Sequence, residues 1–173
     1  MLQSFKKPAV FLFLFIAAAV ILFYISTLQG EFLLTSRSSL AEENQGFSEP
    51  VYLSTGMAFT GPWNPTILNV QFIGEDNFLK EQGDLPFQLF VDNEGHIGAV
   101  SESDLGATFQ MQSVKNYKMK EQNMNLVFKV DTEEEERQLE NINGIRITYS
   151  IWGMRRIKMV DFEGEKGVAW NSK

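Results

Sequence analysis

From Pro8 to Leu28 the chain reads PAVFLFLFIAAAVILFYISTL, 21 residues without a single charge. As an α-helix, at about 1.5 Å per residue, this run is about 31 Å long, close to the roughly 30 Å hydrocarbon core of a bilayer. No water-facing helix tolerates such a sequence, so the run divides the chain into a short leading segment and one domain that must fold beyond it. Lys6 and Lys7 stand directly before the run, whereas Arg37 faces Glu31, Glu42, Glu43 and Glu49 after it. Basic residues flanking a span favour the cytoplasmic side. The expected layout is therefore a cytoplasmic tail at 1–7, a transmembrane signal anchor at 8–28 and everything that follows outside the cell membrane. A tail of this size is expected to hold no folded module, so any message sent inward passes through the helix of another protein.

A cleaved secretory leader is the competing interpretation, because Ala17, Ala18 and Ala19 resemble a small-residue cleavage site. Cleavage there would split the apolar run and leave Val20 to Ile25 as a new apolar end. An uncleaved anchor fits the run better. The chain has no cysteine, which removes disulfide staples, thiol lipidation and thiolate metal sites from consideration.

About 140 residues follow the anchor, enough for one ordinary domain with a substantial core. The formal net charge of the chain is −7. Lys6 and Lys7 are the only charges before Glu31, so 13 of the 15 basic residues share the outer part with all 22 acidic ones, a net of −9. Nucleic acid is thereby an unsuitable partner.

Residues 29–50 contain the polar stretch TSRSSLAEENQGFSEP and read as a linker. Phe32, Leu33 and Leu34 interrupt it, and are expected to lie as a turn at the headgroups. From Val51 a two-residue alternation sets in. Leu68, Val70 and Phe72 are expected on one face, with Asn69 and Gln71 on the other. Phe87, Leu89 and Val91 repeat the pattern, and Asn93, Glu94, Gly95 and His96 read as a hairpin turn into Ile97–Val100. Phe109 and Met111, then Leu126, Phe128 and Val130, continue it. Ile145, Ile147, Tyr149 and Ile151 precede a turn at Trp152 and Gly153. The exception is DTEEEERQLENIN at 131–143, where Thr132 and Glu135 form a capping-box pattern, Leu139 and Ile142 share a face, and Gly144 is expected to stop the helix. These elements predict an all-β protein: an antiparallel, immunoglobulin-like β-sandwich of about seven or eight strands over 51–164 with one short helical crossover. A flexible tail is expected at 165–173. No internal repeat is visible.

Chemistry-bearing residues are few. His96 is the only histidine, and in an exposed turn it lacks the ligand set of a metal site or the partners of a triad. Asp92, Asn93 and Glu94 lack the spacing of a calcium loop. Neither a cofactor, a metal nor a catalytic group is expected. The four glutamates at 133–136 suit a helix N-terminus. The segment Gly61, Pro62, Trp63, Asn64, Pro65 is the most distinctive: two prolines fix the backbone around Trp63, which either caps the open end of the sandwich or is displayed for recognition. Arg155 and Arg156, with Lys158, make a basic strand that either protects a sheet edge or meets an anionic partner. Trp63, Asn64, Arg155 and Arg156 are accordingly the candidate binding residues.

The expected function is that of a non-enzymatic, membrane-anchored extracytoplasmic interaction or accessory module of bacterial type, with a protein partner in the membrane or envelope. The alternatives are a sensory or regulatory subunit of a membrane complex, whose outer domain binds a ligand, and, less favoured, an extracytoplasmic hydrolase.

Overall fold

The computed structural model describes residues 6–28, 30–37, 49–74, 76, 78–92, 98–105 and 111–162. Helix α1 (Lys6–Leu28) is 23 residues long. Its proline, Pro8, falls in the first turn, where an N–H has no intrahelical acceptor in any case. Phe11, Phe13 and Phe15 are 73%, 71% and 73% exposed, and the large apolar side chains from Val10 to Val20 and on to Ile25 are exposed with them. Among the described residues no helix is long and apolar enough to cross a membrane. The run expected to span a membrane at 8–28 falls within α1.

After α1 the chain is mostly strand: β1 (Phe32–Arg37), β2 (Val51–Phe59), β3 (Thr66–Gly74), β4 (Leu79–Lys80), β5 (Gln88–Asp92), β6 (Ala99–Ser101), β7 (Met111–Ser113), β8 (Tyr117–Lys118), β9 (Asn123–Val130), β10 (Ile142–Ile151) and β11 (Met154–Asp161), with α2 (Glu133–Glu140) between β9 and β10. They form two antiparallel sheets. One has the order β1-β2-β9-β5-β7, with β6 on β2; the other has the order β11-β10-β3-β4, with β8 on β3. The count exceeds the expected seven or eight because β4, β6, β7 and β8 are two or three residues each.

The alternation read from the sequence becomes the core between the sheets. Leu89 and Val91 of β5, Leu126, Phe128 and Val130 of β9, and Ile145, Ile147, Tyr149 and Ile151 of β10 are all buried. Two aromatic groups join the layers. Phe72, Phe87 and Phe128 meet edge to face, with Phe72 and Phe87 centroids 5.4 Å apart. Phe32, Phe59 and Tyr149 form the second group.

Four expectations need correction. The segment expected as a linker contains β1, whose Phe32 and Leu34 are buried rather than lying at headgroups, because β2 offers it a pairing edge from Thr55 to Phe59; the sandwich thus starts before residue 51. β5 and β6 do not form a hairpin: both edges of β5 are taken by β9 and β7, and β6 pairs with Val51–Leu53 of β2. In β3 the buried residue is Ile67, not Leu68. Pairing with β10 slips between Asn69↔Thr148 and Ile67↔Tyr149, and this bulge reverses the alternation at Leu68. Finally, α2 ends at Glu140 and Ile142 opens β10. Gly144 serves a close strand approach instead of a helix stop, since a Cβ there would lie 2.5 Å from the Val160 carbonyl oxygen.

Candidate functional site

The end of the sandwich that receives α1 gathers three connections: 60–65 between β2 and β3, 119–122 between β8 and β9, and the two-residue turn between β10 and β11. The first is fixed by its prolines and by its neighbour. Asn64 Nδ2 donates to the Lys120 carbonyl at 2.7 Å, Gln122 Nε2 to the Gly61 carbonyl at 3.2 Å, and the Met119 amide to the Pro65 carbonyl at 3.0 Å. Asn64 is thus occupied in holding two loops together. Where α1 gives way to β1, the Glu31 amide donates to Thr60 Oγ1 and the Thr60 amide to the Glu31 carbonyl, both at 3.0 Å. Gly30, at φ +138°, approaches the Phe59 ring so closely that a Cβ would collide with it.

Trp152 and Gly153 occupy the β10–β11 turn with φ values of 53° and 78°. Positive φ at both central positions is the type I′ pattern that suits right-handed strand twist. Asn or Gly ordinarily takes the first position, and a large ring there is uncommon. The turn holds the Trp152 indole outward, 63% exposed. Its ring stands edge to face with Trp63, 5.4 Å away, and with Phe23 of α1, 5.9 Å away. Trp63 is 38% exposed, so it neither folds fully over the core nor stands free; it ends an aromatic row whose middle is Trp152.

Arg156 completes the group. Its guanidinium carbon lies 5.9 Å from the centroid of Tyr24 on α1, and Nη2 points to Met154 Sδ at 3.8 Å. Nε is buried without a hydrogen-bond partner among the described residues. Opposite it in the β10 register is Tyr149, whose hydroxyl pKa is pushed up by burial and pulled back by the Arg156 charge. Arg155 points the other way, exposed, paired with Ser150. The structure therefore brings Trp63, Asn64 and Arg156 to one end and leaves Arg155 on the outer face of β11. Lys158 reaches Glu31 at 3.7 Å across the corner between the sheets. β11 ends the order of its sheet, and charged side chains on such a strand discourage further pairing.

Trp152 is the contact residue that reading the candidates singly overlooks. Its signal was a tryptophan placed where an Asn-Gly pair would close the same hairpin. Other candidates lie elsewhere: Asp92 is buried in β5 at 1% exposure, and His96 with its neighbours Asn93 and Glu94, like the tail at 165–173, falls outside the described residues. Among the described residues no group of three or more His, Cys, Asp or Glu side chains could hold a metal ion. At α2, Thr132 Oγ1 accepts the Glu135 amide and Glu135 Oε2 accepts the Asp131 amide, so Glu135 serves the helix start.

No family model, curated protein or solved structure matches the chain.

Proposed function

We propose that the protein is a non-enzymatic, single-pass module that displays one β-sandwich outside the cytoplasmic membrane for interaction with an envelope partner, held by Pro8–Leu28. The observation that carries this reading is the seating of the last turns of a charge-free helix, at Phe23 and Tyr24, against Trp152 and Arg156. We take the sandwich as immunoglobulin-like in layout. The sheet order supports that: naming the seven long strands in chain order as A to G, with β1 as A, β2 as B, β3 as C, β5 as D, β9 as E, β10 as F and β11 as G, gives A-B-E-D facing G-F-C. In-cell crosslinking of the full chain, with Trp63, Asn64, Arg155 and Arg156 each changed to alanine, tests the reading. Loss of a captured envelope protein in one or more variants is expected. Unchanged capture in all four would remove this surface from the account.

The second reading, a regulatory subunit whose helix pairs with another membrane protein, is favoured by the same helix-to-domain contacts, which give helix rotation a route to the β10–β11 turn. Exchanging residues 8–22 for an unrelated apolar span while retaining Phe23 and Tyr24 separates the two: full activity of the exchanged chain excludes a specific helix partner.

A further inference from the structure

We propose that the α1-bearing end of the sandwich is itself a bilayer seat: Trp63 and Trp152 lie in the headgroup layer, and the Arg156 guanidinium takes a phospholipid phosphate. This deepens the reading of Pro8–Leu28 as a span and rests on it. Phe23 and Tyr24 precede Leu28 by five and four residues, which at about 1.5 Å each places them about 6–8 Å from the outer end of the apolar run, in its last turns. Trp152 touches the first and Arg156 the second. Rings held at that level lie where tryptophan and tyrosine are enriched along a span.

Three features of the chain's own geometry agree with this. The indole of Trp152 is kept exposed on a positive-φ position that disfavours it, so its ring is more use outside the fold than the turn is improved by an asparagine. The row Phe23, Trp152, Trp63 runs continuously from helix to domain. The half-buried Arg156 guanidinium faces Tyr24 and has a thioether, Met154 Sδ at 3.8 Å, as its acceptor, on an outer domain with net charge −9 that would otherwise be repelled by anionic lipid. A phosphate oxygen beside Tyr24 gives the Nη atoms a stronger acceptor, in a charge-assisted hydrogen bond.

The test uses the full chain reconstituted in vesicles of phosphatidylcholine and phosphatidylglycerol, with bromine placed either near the glycerol backbone or near the chain ends. A Trp63→Phe, Trp170→Phe protein leaves Trp152 as the only emitter. Co-flotation with vesicles, blue-shifted emission and stronger quenching by the shallow bromines are expected. In phosphate-free galactolipid vesicles the protein still floats and the shallow quenching falls, as it does for Arg156→Gln in phospholipid. Flotation with red, unquenched emission overturns the seat while leaving the anchor intact. Failure to float overturns both. Equal quenching in galactolipid and phospholipid overturns the phosphate contact, a result that does not depend on how any Arg156 variant folds.

Discussion

Trp152 shows how opposing local terms leave a residue free to serve something other than stability. A left-handed conformation costs a non-glycine residue roughly 1–2 kcal/mol, and edge-to-face pairs contribute about 0.5–1.5 kcal/mol each. With Trp63 and Phe23 as its ring partners, these nearly cancel. Trp152→Asn is therefore expected to change unfolding free energy by less than about 1 kcal/mol in a urea titration, since asparagine accepts the turn that tryptophan resists. A loss well above that would make the ring a folding residue. Ile67 and Leu68 give a sharper contrast. Ile67 is fully buried and Leu68 is not, so Ile67→Ala should cost about 2–5 kcal/mol and Leu68→Ala much less, measured the same way. The reverse ranking would place the bulge wrongly. At Gly144 the Val160 carbonyl occupies the space of a Cβ, and Gly144→Ala is expected to destabilise by about 1–3 kcal/mol as overpacking against backbone.

Among the elements, β1 and α2 show what could be read in advance. The strands of the core were legible wherever alternation ran unbroken, as in Ile145, Ile147, Tyr149 and Ile151, because a two-residue period has one physical meaning in a half-buried sheet. β1 was not, because FLLTSR sits in polar surroundings and its burial depends on an edge of β2 more than twenty residues away. The bulge at Leu68 was hidden for a similar reason, being set by the register of β10. For the site, Trp63 and Arg156 were legible as unusual residues, but their meeting through Trp152 and α1 is a property of three-dimensional adjacency. The β1 assignment predicts that Phe32→Ala costs about 3–5 kcal/mol, far beyond what a linker residue could. α2 carries a pH signature: burial raises the Glu136 carboxyl pKa, with Glu140 and Glu133 adding to it. The folded state then holds its proton more tightly than the unfolded state, so this group disfavours folding above the raised value and ceases to do so near and below the ordinary glutamate value of about 4.3. Glu136→Gln should raise the midpoint of thermal unfolding at pH 7, with the gain vanishing by about pH 4. A gain that persists in acid would assign the effect to something other than ionisation.

At the scale of the whole molecule, α1 meets the sandwich at the end that carries the 60–65 loop and the β10–β11 turn. Under the proposed immunoglobulin-like layout these are the B–C and F–G connections, and they carry Trp63 and Trp152. Under the proposed anchoring that end faces the membrane, and Phe78, 71% exposed beside β4, lies at the other end of β3.

The central claim is that this chain crosses the membrane at Pro8–Leu28 with the sandwich outside. Because the chain has no cysteine, single substitutions report topology without background. Intact cells expressing Gln112→Cys, on an exposed position of β7, or Ser4→Cys are treated with a membrane-impermeant maleimide before and after permeabilisation. The account predicts labelling of residue 112 in intact cells, and of residue 4 only after permeabilisation. Residue 112 protected until the membrane is opened, or residue 4 labelled from outside, would contradict it.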